Sequence, residues 1–272
     1  MAIKDIVLYV GRDPRQGARL EAALSLAKRF EARIVGVYAL SYPVLPGYVQ
    51  IDIGTDLIEQ RMAEMREEAG EARVGFEDKL QREGVAGEWR LIEGNPIDAM
   101  ALSTRYGDIA VVGQADPDHP GPADSMADEL VLAAGRPIIV WPYVGNYDAF
   151  GNQIMVAWNG TREGVRALYD AMDFLTRAAK VVVCSVNPPD REHIAGADIS
   201  THLARHGITA EAHHIIAPDL DAGDALLSAA ADFGTDFLVM GAYGHSRIRE
   251  LALGGVTRHV LKTMTMPVLM SH

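Results

Sequence analysis

The sequence has little of what secreted, membrane-spanning or nucleic-acid-binding proteins need. Its 272 residues include one cysteine, Cys184, so no intramolecular disulfide can form, as is usual in reducing compartments. No run of about 20 uninterrupted apolar residues is present, and the N-terminal apolar stretch is too short for a secretory signal, which predicts a cytoplasmic protein. The 25 basic residues face 37 acidic ones, a net charge of −12 that disfavours nucleic acid and anionic membranes as partners.

Several catalytic and metal-binding patterns are missing as well. The chain contains no Gly-x-Ser-x-Gly elbow, no Gly-x-x-x-x-Gly-Lys-Ser/Thr loop, and no Gly-x-Gly-x-x-Gly after its first predicted strand. The sequence therefore lacks the loops that efficient P-loop hydrolysis and Rossmann-type hydride transfer need. His202 and His206 are four apart on a predicted helix, but no third metal ligand is evident, which favours a solvated histidine face.

Length and composition indicate a globular protein of two domains. Apolar residues make up 49% of the chain and charged residues 23%, as in average soluble proteins. The length exceeds the ~100–200 residues of one ordinary domain. The sequence therefore predicts two domains, each able to bury a core of its own.

One pattern occurs twice along the chain. An acidic residue, four apolar residues and a glycine form 108–113 in the first half and 236–241 in the second. Each copy follows a helix-like stretch, and each half closes with a proline-led apolar run, at 137–141 and 267–270. This internal similarity indicates a duplicated fold.

Short β-branched runs alternate with longer segments of helical period, which is typical of βαβ units and a parallel sheet. Strands are predicted at 4–10, 33–39, 86–92, 108–112 and 137–141, then at 153–158, 180–186, 208–216, 236–240 and 267–271. Helices are predicted at 15–30, 55–83, 96–106 and 123–135, then at 162–178, 196–206, 222–233 and 255–265. The fold class is thus α/β, with two tandem open parallel sheets of five strands flanked by helices. The glycine- and proline-rich stretch 141–152 separates domains at 1–144 and 151–272.

A glycine-rich turn follows the fourth strand of the second half. Gly241 and Gly244 stand at its start, where glycine permits a tight turn and close approach of a ligand. Gly254 and Gly255 open a helix whose first amides have no intrahelical acceptor, a ready site for phosphate. Thr257 adds a hydroxyl donor, and further positive charge comes from His245, Arg247, Arg249 and Arg258.

Asn159 ends the first strand of the second half and should face this turn across the crevice. In an open parallel sheet, ligands lie outside the carboxyl ends of strands where the strand order reverses. The side chain of Asn159 has a donor and an acceptor for ribose or adenine edges. Its other interpretation, a helix N-cap or turn residue, stays open.

The spacing of Gly241, Gly244 and Gly254 resembles the motif of the universal stress protein family, and the likeness extends over nearly the whole chain. The resemblance implies an adenine nucleotide alpha-hydrolase-like fold, with strand order 3-2-1-4-5 in each half. The ligand contacts of ATP-binding members fall on Asn159 and Val186 at two strand ends, on Met240 and Gly241 beside base and ribose, and on Tyr243, Gly244, Gly254, Gly255 and Val256 along ribose and phosphates. Two positions depart from the family: Asn159 replaces its usual aspartate, and Gly255 stands where a serine or threonine is usual.

The resemblance implies a stress-response or regulatory protein whose C-terminal half binds ATP, or a related adenine nucleotide, with or without Mg. In the N-terminal half, acids and prolines at 114–124 occupy the place of the phosphate loop, so that site is interpreted as degenerate. Asp13, after the first strand, is interpreted as a turn or cap residue. Uncapped last strands at 137–141 and 267–271 invite pairing, within one chain or in a homodimer.

Two other classes of function remain open from the residues alone. The protein could be a slow ATPase that uses water near Thr257, although no general base is evident. It could also be an interaction module whose crevice holds a lipid or another anionic metabolite. The nucleotide-binding regulatory protein is the hypothesis that the glycine turn favours.

Overall fold

The computed structural model describes residues 3–41, 55–121, 123–145, 147, 149–188, 197–244 and 255–272, without the side chains of 55–59. The strands are β1 (Asp5–Tyr9), β2 (Arg33–Leu40), β3 (Gly87–Glu93), β4 (Ile109–Gly113), β5 (Ile138–Trp141), β6 (Gln153–Ala157), β7 (Lys180–Val186), β8 (Ala210–Ile215), β9 (Phe237–Gly241) and β10 (Val268–Ser271). The helices are α1 (Gln16–Phe30), α2 (Thr55–Glu83), α3 (Pro96–Thr104), α4 (Met126–Ala133), α5 (Arg162–Asp170), α6 (Met172–Leu175), α7 (Ala197–Arg205), α8 (Ala222–Asp232) and α9 (Val256–Thr263). Among these helices, none is long and apolar enough to cross a membrane.

The ten strands form one continuous sheet in the order β3-β2-β1-β4-β5-β10-β9-β6-β7-β8. Each half has the predicted order 3-2-1-4-5, and all pairs within a half are parallel. The two halves join through β5 and β10, which pair antiparallel with Leu269 opposite Ile139. The predicted fold class is therefore confirmed, and the last strands of the two five-stranded sheets pair with each other, which is one of the two options left open by the sequence.

The antiparallel joint reverses the strand direction between the halves. The carboxyl ends of β1–β5 lie at one edge of the sheet, and those of β6–β10 lie at the opposite edge. Because ligand crevices form at the carboxyl ends of parallel strands, the crevices of the two halves open at opposite edges.

Apolar side chains cover both faces of the sheet, which explains the continuous β-branched runs in its strands. One cluster combines α1, α2, α5, α6 and α7 with one face, and a second combines α3, α4, α8 and α9 with the other. Both clusters contain residues of both halves. The core is therefore shared across the joint instead of being divided at the linker.

A cluster of aromatic side chains joins the two halves on the first face of the sheet. Phe174 packs edge-on against Phe30 at 5.0 Å between ring centroids, and with tilted rings against Phe237 at 5.1 Å. Phe150, which lies within the predicted linker, bridges Phe237 and Trp141. The side chain of Arg29 donates to the carbonyl oxygens of Phe150 and Gly151, so this connection is fixed to α1.

The predicted helix 162–178 is divided into two. Helix α5 ends at Asp170, and Ala171, with φ −90° and ψ −2°, separates it from α6, which begins at Met172. The two short helices let Leu168 and Phe174 both reach the sheet, where each is fully buried.

Replacing Phe174 by alanine should destabilise the protein by about 3–5 kcal/mol, because a fully buried aromatic side chain that contacts both halves would leave a cavity. Urea unfolding followed by circular dichroism measures the change. Leu102→Ala is the matched control, since Leu102 is 52% exposed and its truncation removes little buried surface. Equal unfolding midpoints for the two variants would show that the aromatic group does not join the halves.

Candidate functional site

A cavity of about 350 Å³ lies at the carboxyl ends of β6, β7 and β9 in the C-terminal half. Its lining includes most of the predicted site residues: Asn159, Val186, Met240, Gly241, Tyr243, Gly244, Gly255, Val256 and Thr257. Gly254 lies outside the described residues, together with His245, Arg247 and Arg249. The described part of the predicted site therefore converges on one place.

Gly241 and Gly244, at the start of the turn, permit close packing against the start of α5. They do not supply the tight backbone turn that was predicted for them. A Cβ atom at Gly241 would lie 2.5 Å from the carbonyl carbon of Glu163 and 2.5 Å from the nitrogen of Gly164, at the start of α5. Neither Gly241 nor Gly244 has a positive φ; the left-handed residue is Tyr243, with φ +55°. A bulky residue in this region costs about 1–3 kcal/mol and persists only where its surroundings hold it there.

Tyr243 is held by hydrogen bonds at its amide and at its hydroxyl. Its amide donates to Oγ1 of Thr257 at 3.1 Å, which links the turn to the first turn of α9. Its hydroxyl donates to Oδ1 of Asp128, which belongs to α4 in the N-terminal half. The residue is only 7% exposed, so both bonds are sheltered from water.

Helix α9 begins at the edge of the cavity without an acidic side chain in its first turn. Its N-cap is Gly255, which has no side chain to accept from the first amides, so these donors and the positive end of the helix dipole are directed outward. Thr257 is 3% exposed, and its hydroxyl oxygen already accepts from Tyr243. Since a hydroxyl group accepts and donates at once, its proton can still reach an anion.

Asn159 combines the two roles considered from the sequence. Its Oδ1 accepts from the amide of Thr161 at 3.2 Å and from the Thr161 hydroxyl at 2.8 Å, which is a turn interaction. Thr161 in turn caps α5 by accepting from the amide of Gly164. Asn159 also lines the cavity, and its amide nitrogen is the atom with which it would contact a ligand.

Glu163 is a residue of the site that the sequence analysis missed. The residue is 4% exposed, and its Oε2 is 3.2 Å from the position of a Cβ on Gly244. Burial raises the pKa of Glu163, but the hydrogen bonds from Arg162 and from its own backbone, with the charge of Arg162, outweigh burial and lower it. A charged carboxylate thus lies beside the glycine turn. Its position could not be predicted from the sequence, because it depends on the packing of α5 against β9.

The opposite wall of the cavity is apolar. Val186, Met240, Ala157 and Leu226 line it, as does Cys184 at the centre of β7. Burial raises the pKa of the Cys184 thiol to about 11, so it is protonated at neutral pH and serves as a small apolar group. This wall can accommodate a flat, weakly polar ring such as a purine.

Asp221, Asp224 and His259 meet beside the cavity and join α8 to α9. Nε2 of His259 lies 2.8 Å from Oδ1 of Asp224, and Nδ1 lies 3.7 Å from Oδ1 of Asp221. Among the described residues they are also the group whose ligand atoms, all within 4.8 Å of one another, could hold a metal ion. Each ring nitrogen of His259 faces a different carboxylate, so the three side chains link α8 to α9.

A larger cavity, about 730 Å³, lies at the carboxyl ends of β1 and β4 in the N-terminal half. Arg19, 2% exposed, extends its guanidinium group to the end of β4, where a Cβ on Gly113 would lie 2.7 Å from its Nη1. Asp13 binds this guanidinium at 2.7 Å and accepts from the amide of Arg15 at 3.1 Å, which agrees with the predicted turn role. Burial raises the pKa of Asp13, and the hydrogen bond and charge of Arg19 overcome this effect and lower it.

The helix that corresponds to α9 in the N-terminal half has the opposite electrostatics. Helix α4 carries Asp128 and Glu129 in its first turn and follows Asp124, so acidic side chains already occupy its positive end. Arg12 at this crevice is paired with Glu68, and His119 with Asp116. The cationic groups of this crevice are thus largely compensated by its own acids.

The cavity of the C-terminal half thus lies where open α/β sheets place their ligand crevices, at the carboxyl ends of strands where the strand order reverses. Residues 152–272 match the model of the Universal stress protein family. Universal stress protein Slr1230 of Synechocystis sp. is 46% identical over 48 residues, which is 18% of this chain and 17% of the relative's length.

Solved structures share the fold of the whole chain. A universal stress protein from Archaeoglobus fulgidus superposes with a TM-score of 0.78, covering 98% of this chain and 95% of its own, at 14% identity. A functionally unknown protein from Pseudomonas aeruginosa superposes with a TM-score of 0.66 over 99% of this chain and 92% of its own, at 16% identity. At these identities the similarity establishes the architecture of both halves and nothing about their ligands.

Gly241→Ala should lower the thermal unfolding temperature, because the added Cβ would overlap backbone atoms of Glu163 and Gly164 that cannot move aside. Gly70→Ala is the matched control: Gly70 lies in α2 with open space around it, and alanine there should stabilise the helix by up to about 1 kcal/mol. Calorimetry on both variants measures the effects. A Gly241→Ala protein as stable as wild type would rule out the close contact.

The Cys184 thiol should react slowly with maleimide or iodoacetamide at pH 7. Because its pKa is about 11, the thiolate fraction and hence the rate should rise about tenfold per pH unit up to that value. Mass spectrometry of the alkylated protein at several pH values measures the rate. A rate that levels off near pH 8.5 would indicate an ordinary exposed thiol.

Proposed function

We propose that the C-terminal half binds an adenine nucleotide, with ATP as the ligand, and that the protein acts as a stress-response regulator. The observation that carries the proposal is the start of α9, where outward-directed amides and the positive helix dipole meet a cavity beside a glycine turn. In this arrangement the phosphates lie against Gly244, Gly255 and Val256, with the hydroxyl of Thr257 as a further donor. Gly254 would continue this phosphate-binding stretch.

The other end of the nucleotide fits the apolar wall. Adenine would lie between Val186 and Met240, whose strands end at the cavity, and the ribose would lie near Gly241 and Asn159. Tyr243 bounds the turn between the two ends. A cavity of about 350 Å³ is at the lower end of the range for small-ligand sites, about 300–1,000 Å³.

The charge of Glu163 bears on the state of the ligand. A carboxylate beside Gly244 repels bare phosphate oxygens, and a divalent cation bound to the phosphates would reduce that repulsion. We therefore propose Mg-ATP in preference to free ATP. Arg258, exposed in the first turn of α9, supplies compensating positive charge.

We further propose one nucleotide site per chain and two domains, at 1–144 and 151–272. The N-terminal crevice differs in the two features that phosphate needs, since acids start α4 and the buried Arg19 is already paired with Asp13. A homodimer remains a proposal too. Because β5 and β10 pair with each other, such a dimer would use another surface, for example the edge strands β3 or β8.

A titration of ligand-free protein with Mg-ATP, followed by calorimetry, should saturate at one nucleotide per chain. Val256→Asp should weaken binding by at least about tenfold, because it places in the first turn of α9 the negative charge that α4 already carries. The variant should fold, since an acidic residue is favourable at a helix N-terminus.

Val256→Asn is the matched control, because it has the same size as aspartate without the charge and should retain most of the affinity. Saturation at two nucleotides per chain would disprove the single site. Equal affinities of the aspartate and asparagine variants would disprove phosphate binding at α9.

A further inference from the structure

The N-terminal half reaches into the proposed nucleotide site through one side chain. Asp128 lies in the first turn of α4 and accepts a hydrogen bond from the hydroxyl of Tyr243, 115 residues away in the chain. Helix α4 also packs against α9 and β10. Asp128 is therefore an outer neighbour of a residue that lines the C-terminal cavity, without lining that cavity itself.

Tyr243 needs such a partner. Its left-handed backbone is unfavourable for a bulky residue. Among the described residues, three that are not glycine have a positive φ, and of these Tyr243 lines the cavity. Its amide bond to Thr257 links this backbone to the start of α9. A change at the Tyr243 hydroxyl would thus be transmitted to the amides that face the proposed phosphates.

A second contact from the N-terminal half holds the other end of α9. Gln114 is 7% exposed, its Nε2 donates to the carbonyl oxygen of Leu261 at 3.0 Å, and its Oε1 accepts from the amide of Tyr143 at 3.1 Å. Gln114 follows β4, at the position that corresponds to the start of the glycine turn in the other half. Both ends of the phosphate-binding helix are therefore tied to the N-terminal half.

We propose that Asp128 is a positioning residue for the C-terminal nucleotide site: its bond to the Tyr243 hydroxyl holds the turn and α9 in the geometry that binds phosphate. This inference rests on the proposed function and adds a role for the N-terminal half. In this role the N-terminal half supports the binding geometry of the C-terminal site. By reciprocity, nucleotide binding should also strengthen the contact between α4 and Tyr243.

The test is a double-mutant cycle on Mg-ATP affinity with Asp128→Ala, Tyr243→Phe and the combined variant. Each single change should weaken binding by about tenfold, the size that loss of one charge-assisted hydrogen bond supports. The double variant should be no weaker than either single one, because both remove the same bond. Asp128→Asn keeps an acceptor and should lose less than Asp128→Ala.

Glu129→Gln is the matched control, since Glu129 is the exposed neighbour of Asp128 on α4 and should leave the affinity unchanged. Single variants within twofold of wild type, or losses that multiply in the double variant, would overturn the proposal. Amide hydrogen exchange of Tyr243 in the ligand-free protein gives a second readout that needs no nucleotide. Asp128→Ala should accelerate it, and an unchanged rate would also overturn the proposal.

The two proposals fail separately. If wild-type protein takes up no Mg-ATP, the proposed function is wrong, and the exchange rate at Tyr243 still decides whether Asp128 holds the turn. If wild-type protein binds Mg-ATP while both the affinity and the exchange rate are insensitive to Asp128→Ala, the nucleotide site stands and the positioning role is wrong.

Discussion

The antiparallel pairing of β5 with β10 is the constraint on which the rest of the structure depends. It merges two five-stranded sheets into one of ten strands, so the helices on each face pack into a core shared by both halves. It also places α4 beside α9, and this brings Asp128 to the hydroxyl of Tyr243. Without this joint, the candidate site would lose its supports from the N-terminal half.

Most of the fold could be predicted from the sequence because its signals are local. Buried parallel strands appear as short β-branched runs, and the repeated pattern at 108–113 and 236–241 marks the same strand in both halves. The interruption at Ala171 was not predicted, since the apolar spacing continues through it. The pairing of the last strands was one of two options, because an exposed edge can pair within the chain or outside it.

For the candidate site, the sequence indicated where the residues meet but not what each one does. Gly241 was expected to relieve a tight turn, whereas its missing Cβ admits the backbone of α5. Thr257 was expected to face phosphate, and it also receives the amide of Tyr243. These roles depend on contacts between residues far apart in the chain, as does the position of Glu163. No local pattern encodes such contacts.

The reversal of strand direction at the joint has a consequence for the access of ligands to the two crevices. The two crevices open at opposite edges of the sheet, so a molecule that binds in one approaches the protein from the side opposite to a molecule that binds in the other. A ligand at one entrance could therefore affect the other only through the protein between them.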